Sequence, residues 1–181
     1  MHHPHEQTIQ KAHTAWHSFG DDGTFPNNAA LPVVVYKGAL YLHPTEDADA
    51  IRTVFAGHGW TNSWTDGIFS YHHYHSIAHE VLGVFCGRAD VQLGGPEGTC
   101  VELVRGDVVV IPAGVAHKCL RSTPDFVVVG AYAGGRDYDI NYGKEEERAE
   151  ALANIPAVPV PDTDPVYGAE GPLLTKWKKA G

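Results

Sequence analysis

Two histidines one residue apart, set in a run of β-forming residues, constrain this chain more than any other feature. The run is Gly67-Ile-Phe-Ser-Tyr-His-His73-Tyr-His75-Ser-Ile-Ala-His-Glu80-Val-Leu-Gly-Val-Phe-Cys-Gly87. β-Branched and aromatic residues closed by glycines read as two strands joined by a short turn. Side chains alternate along a strand, so His73 and His75 share a face, roughly 6–7 Å apart at Cα. Two imidazoles so placed can converge on one metal at about 2.0–2.1 Å per nitrogen. Glu80 opens the next strand and can bring a carboxylate oxygen to the same point. A second stretch, Gly106 to His117, offers a fourth donor. There Gly106-Asp107 makes a turn and Val108 to Ile111 is a wholly apolar strand of the kind buried in a barrel. Pro112 and Gly114 form the next turn, and His117 begins another strand.

Together the two stretches resemble the paired motifs of the cupin superfamily. The first motif (Gly, five residues, His-x-His, three or four residues, Glu, six residues, Gly) is met at Gly67, His73, His75, Glu80 and Gly87. The second (Gly, five residues, Pro-x-Gly, two residues, His, three residues, Asn) is met at Gly106, Pro112, Gly114 and His117. Arg121 stands where that motif has Asn, a position outside the family's metal ligands. The resemblance implies an all-β fold, a double-stranded β-helix (jelly-roll) barrel, with His73, His75, Glu80 and His117 holding one divalent metal. The run from His73 to Gly83, with Pro26-Asn-Asn28 upstream and Asp164-Pro-Val166 and Gly171-Pro-Leu173 downstream, is similar to a family of small bacterial and fungal single-cupin proteins.

The length of 181 residues suits one domain with a substantial core. Within it, residues 1–66 supply N-terminal strands and a helix, 67–132 the metal-bearing barrel, and 133–181 a short helix and a proline-rich strap. A formal charge of −9 argues against nucleic acid, which needs clustered Lys and Arg. Cys86, Cys100 and Cys119 form no C-x-x-C pair, and a catalytic cysteine is a weaker reading than a small apolar filler. Neither a signal peptide nor a membrane-spanning run is evident, so a cytoplasmic location is expected. Met1-His-His-Pro-His5 reads as a mobile terminus.

Along the chain, residues 8–19 fit either a strand or a short helix. Leu31 to Tyr36 is a strand, with Pro32 suggesting an edge or first position. A helix follows, capped by Thr45, presenting Ala48, Ile51, Val54 and Phe55 on one face and ending at Gly57 or Gly59. Trp60 to Asp66 leads into the histidine hairpin. Ala89–Leu93 and Cys100–Val104 flank the turn Gly94-Gly-Pro-Glu-Gly98 as a second hairpin. Phe126–Tyr132 is a further strand, giving roughly eight strands over residues 67–132. Lys144–Ala153 is a short charged helix, and the tail from Ile155, with Trp177, is expected to lie extended across the barrel, a loose tail being the weaker reading.

Four protein ligands on an octahedral metal leave about two adjacent positions for water, dioxygen or a bidentate substrate. Fe, Mn, Ni, Zn, Co and Cu all suit this donor set. Cupins with these ligands include dioxygenases, oxalate-degrading enzymes and sugar or keto-acid isomerases, so the resemblance implies a dioxygenase-type oxidoreductase acting on a small oxygen-chelating organic acid or phenol. An isomerase or lyase, and a non-catalytic binder of a small ligand or metal, are the alternatives. Tyr132 can point inward as a proton donor or hydrogen-bonding support, or simply fill the core. Trp64 and Tyr71 can line the mouth or pack the rim, and Arg88 and Arg121 can clamp a carboxylate or lie on the surface. His72 and His79 fall on the opposite pleat and are expected to face outward or support the ligands; Asp107 is a turn residue. Sheet edges at the N-terminal strands suggest a homodimer.

Overall fold

The computed structural model describes residues 8–44 and 48–177. Its strands are β1 (His13–Phe19), β2 (Asn28–Lys37), β3 (Trp60–Asp66), β4 (Glu80–Cys86), β5 (Arg88–Leu93), β6 (Thr99–Val104), β7 (Val108–Ile111), β8 (His117–Ser122) and β9 (Val127–Ala133). Helix α1 (Ala48–Gly57) lies between β2 and β3; α2 (Glu145–Asn154) and α3 (Pro172–Lys176) follow the strands. The strands form a six-stranded sheet, ordered β1-β2-β7-β4-β9-β3, and a three-stranded sheet, ordered β6-β5-β8. All pairings are antiparallel. The molecule is a double-stranded β-helix.

The larger sheet is buried on both faces. One face, with Val35, Leu82, Val109 and Val128, meets Val91, Leu93 and Leu103 of the smaller sheet in an inner core. The other, with Tyr36, Val81, Val110 and Val129, is covered by Ile51 and Phe55 of α1 and by Leu173 and Trp177 of the C-terminal segment. Two buried faces explain why Val108–Ile111 shows no polar alternation. Gly83 makes the helix contact possible: a Cβ there would stand 2.8 Å from Ile51 Cγ2 and 2.9 Å from Phe55.

Several expectations need correction. The first half of the histidine hairpin is not a strand. Residues 67–79 run irregularly and touch the fold through isolated bridges, His73 with His117 and Tyr74 with Asn141. Trp60–Asp66, read as a lead-in, is the edge strand β3. Between residues 80 and 133 there are six strands, β4–β9, rather than eight. Pro32 does not mark a sheet edge, since β2 lies between β1 and β7. It falls instead where the β1–β2 register breaks, beyond the stretch paired with β7, as the missing N–H requires. Residues 8–19 resolve to strand rather than helix over His13–Phe19. The Thr45 cap lies outside the described residues, although α1 ends at Gly57 as expected. The tail lies across the larger sheet and carries the short helix α3, which the composition does not announce.

Candidate metal centre

The irregular course of residues 67–79 is what delivers two imidazoles to one point. His73 and His117 exchange backbone hydrogen bonds (3.2 and 2.9 Å), which sets their rings 4.1 Å apart. Gly114 N–H donates to the His75 carbonyl (2.7 Å), tying the second histidine to the turn before β8. Glu80, the first residue of β4, pairs with Ile111 on one side and Tyr132 on the other. All four side chains are buried.

Each imidazole is held by a backbone carbonyl at Nδ1: His73 by Tyr71 (3.1 Å), His117 by Val115 (3.0 Å) and His75 by Asp139. A carbonyl only accepts, so Nδ1 carries the hydrogen and Nε2 faces inward with its lone pair or a second proton. His75 Nε2 and His117 Nε2 each stand 3.2 Å from a Glu80 oxygen. A proton on each Nε2, or a cation in its place, satisfies that approach. The ligand atoms of His73, His75 and His117 lie within 4.8 Å of one another, so the triad can hold a metal ion. Three borderline nitrogen donors with a carboxylate fit a first-row divalent cation.

The buried groups are shifted in different directions. Burial, then the nearby His117, pushes the His73 imidazole down to about 3, so it is neutral and ready to ligate. Burial also acts to lower His75, but the Glu80 carboxylate and the Asp139 carbonyl outweigh it and raise the group. Glu80 is raised by burial but more strongly lowered by its histidine neighbours, and it stays ionised.

An overall relative is the uncharacterized protein YjlB of Bacillus subtilis (strain 168), 46% identical over 166 residues, which are 92% of this chain and 98% of that one. The family model described as Cupin matches residues 60–133. The chain belongs to the cupin superfamily. Similar solved structures include a mutant of the 3,4-ketoisomerase QdtA from Thermoanaerobacterium thermosaccharolyticum in complex with TDP-4-keto-6-deoxyglucose (17% identity, 77% of this chain and 94% of that one, TM-score 0.44). Another is acireductone dioxygenase from Bacillus anthracis (21%, 52% and 63%, TM-score 0.38). A third is a conserved protein with a double-stranded beta-helix domain from Klebsiella pneumoniae (16%, 71% and 92%, TM-score 0.37).

Around the four convergent residues, this cupin opens a cavity of about 210 Å3. Tyr132 does reach the centre: its hydroxyl donates to Glu80 Oε2 (2.8 Å) and accepts from Trp64 Nε1 (2.9 Å). Burial, and then the Glu80 charge, raises the phenol, so it remains a donor. Trp64 lines the cavity, and Gly130 makes room for its indole, which would lie 2.3 Å from a Cβ at that position. Tyr71 stays outside the cavity lining but stacks on Phe69 at 4.9 Å.

The arginines do not clamp a substrate: Arg88 pairs with Glu102 (2.8 Å) and Arg121 with Asp90 (2.9 Å), both on the surface. His72 packs near Phe25 at 5.4 Å, away from the centre. His79 does not face solvent; it is buried against Trp177, and its Nδ1 accepts Ala113 N–H (2.9 Å), bracing the turn before His117. Asp107 does more than make a turn. Its carboxylate accepts from Val104 N–H and Gly38 N–H (both 2.8 Å) and pairs with Lys37, joining the β6–β7 turn to β2. Of the cysteines, only Cys119 is buried in the core, whereas Cys100 is exposed.

Sequence reasoning missed Asp139, whose carbonyl holds His75 and whose carboxylate accepts Ser76 N–H (2.7 Å). It also missed the job of Asn27 and Asn28, which bond Ala116 N–H (3.1 Å) and the Ala113 carbonyl (3.0 Å) and so hold the turn before His117. The paired asparagines were visible as a turn; nothing local marks Asp139.

Proposed function

We propose that this cupin is a metal-dependent enzyme, a dioxygenase-type oxidoreductase acting on a small organic acid or phenol that chelates through two oxygens. The observation behind the reading is the open cavity over three carbonyl-oriented imidazoles and an ionised carboxylate. His73, His75, Glu80 and His117 are the residues that would hold the divalent cation. When bound, it supplies a Lewis acid for a chelating oxygen group and, if redox-active, a path for electrons to dioxygen. The protein's own part is orientation. Tyr132 keeps the Glu80 carboxylate fixed, Trp64 directs the Tyr132 proton towards it, and the walls around them are largely apolar.

Elemental analysis of protein purified without added metal, then oxygen-uptake screening of hydroxy acids, keto acids and phenols, tests this. Turnover that requires metal and vanishes in His75→Ala supports the enzyme. Tight ligand binding without turnover under air or nitrogen, across all the metals, would leave a binding protein. We also propose a cytoplasmic homodimer: Cys86, Cys100 and Cys119 are all free thiols, as a reducing compartment permits. Among the described residues, no helix is long and apolar enough to cross a membrane.

A further inference from the structure

The walls of the cavity differ sharply in chemistry from its floor. Apart from the four convergent residues and Tyr132, the lining is dominated by Trp64, Ile68, Phe69, Leu82, Tyr138 and Ile140. Among the described residues no lysine or arginine lines it, and its one further charged group is the carboxylate of Asp66. Carboxylates and phosphates are recognised through Arg or Lys. An anionic group held away from the metal would therefore find no partner here, would lose hydration, and would face Asp66 at the rim.

The aromatic side chains are also oddly exposed. Phe69 is 44% and Tyr138 40% accessible, although both border the cavity. Tyr138 stacks on Tyr132 with centroids 4.5 Å apart and an interplanar angle of 17°, so a flat face is held ready beside the centre. Phe69 meets His73 edge-on at 5.0 Å. Exposed aromatic faces around a concave site mark a ligand surface, and flat rings are what such faces bind.

We infer that this site selects a small, flat, apolar-bodied oxygen chelate, such as a phenol, an enol or an aromatic hydroxy acid, and rejects chelates with a second anionic group remote from the metal. This rests on the metal centre proposed above. The volume of about 210 Å3 suits a small body beside the centre, below the roughly 300–1,000 Å3 of sites for drug-sized ligands. Phosphorylated and nucleotide-linked substrates are disfavoured by charge, since among the described residues no lysine or arginine lines the cavity to meet them.

Three hydroxamates with one chelating group but different bodies isolate the effect. Manganese-loaded protein is titrated calorimetrically with acetohydroxamate, benzohydroxamate and 4-carboxybenzohydroxamate. Benzohydroxamate is expected to bind at least about tenfold tighter than either of the others. Phe69→Ala, an exposed position, should reduce the preference over acetohydroxamate to about threefold or less. Ile140→Lys should tighten the carboxylated probe by about tenfold. Equal affinities, or a preference for the carboxylated probe, on protein shown by elemental analysis to hold manganese would overturn this inference and leave the metal centre standing. Failure to hold manganese, iron, cobalt, nickel, copper or zinc would overturn both.

Discussion

Glu80 faces two imidazoles while Tyr132 donates to its Oε2, so the orientation of the carboxylate depends on a phenol 52 residues away. Removing that hydroxyl leaves the carboxylate one bond short in a buried site and orphans the Trp64 indole N–H. Tyr132→Phe is therefore expected to weaken manganese binding about 10- to 100-fold. Trp64→Phe, which acts one bond further out, should cost less. Competition with a metallochromic chelator measures both, and an unchanged affinity in Tyr132→Phe would show that Glu80 needs no such support. The four convergent residues were legible as a group because their spacing carries the chemistry: His73, His75, Glu80 and His117 come together even though the first pair stands on an irregular segment. Asp139 was not legible. It works through its backbone carbonyl, which every residue type has, and its carboxylate acts only once the chain after β9 has folded back.

Among the elements, β4 carries the most contradictory demands. Its inner face presents Glu80 and Leu82 to the cavity, while its outer face must admit α1 at close range. Gly83 resolves the conflict, and Gly83→Ala would press a methyl against Ile51 and Phe55. A loss of about 1–3 kcal/mol in denaturant melts is expected, with metal content preserved. A neutral result would mean that α1 shifts freely on the sheet. The C-terminal strap is the second such element. Asp164, fully buried, accepts from Val166 N–H (2.8 Å), Leu173 N–H (3.2 Å) and the Tyr36 hydroxyl, fastening the strap to β2. Trp177 completes the attachment by donating to the Pro32 carbonyl (2.7 Å). Trp177→Ala should cost about 3–5 kcal/mol, and a strap that merely rests on the surface would show far less. Strands with one recognisable period were readable from sequence. β3 was not, because Trp60–Asp66 is polar and bulged, and its pairing with β9 supplies what its composition lacks.

At the scale of the whole molecule, the larger sheet has two edges, β1 and β3. The edges are unequal. β3 breaks register between Thr61 and Trp64, where Asn62 adopts φ of 60°, and such an irregularity discourages further pairing. β1 reads His13-Thr-Ala-Trp-His-Ser-Phe19 and contains neither the lysine nor the proline that commonly protects an edge. The proposed homodimer is therefore expected to form by antiparallel pairing of β1 with its copy about a two-fold axis, which makes one self-complementary interface. With a formal charge of −9 on each copy, association should strengthen with salt, which screens the long-range repulsion. Light scattering should give twice the chain mass at micromolar concentration. His13 and Ser18 are exposed, so His13→Lys with Ser18→Lys leaves each barrel intact while crowding cations at the joint. That double variant should raise the dimer dissociation constant by about tenfold or more, the equivalent of roughly 1.4 kcal/mol. A monomeric mass for the unaltered chain, or a dimer indifferent to the lysines, would place any self-association elsewhere than β1.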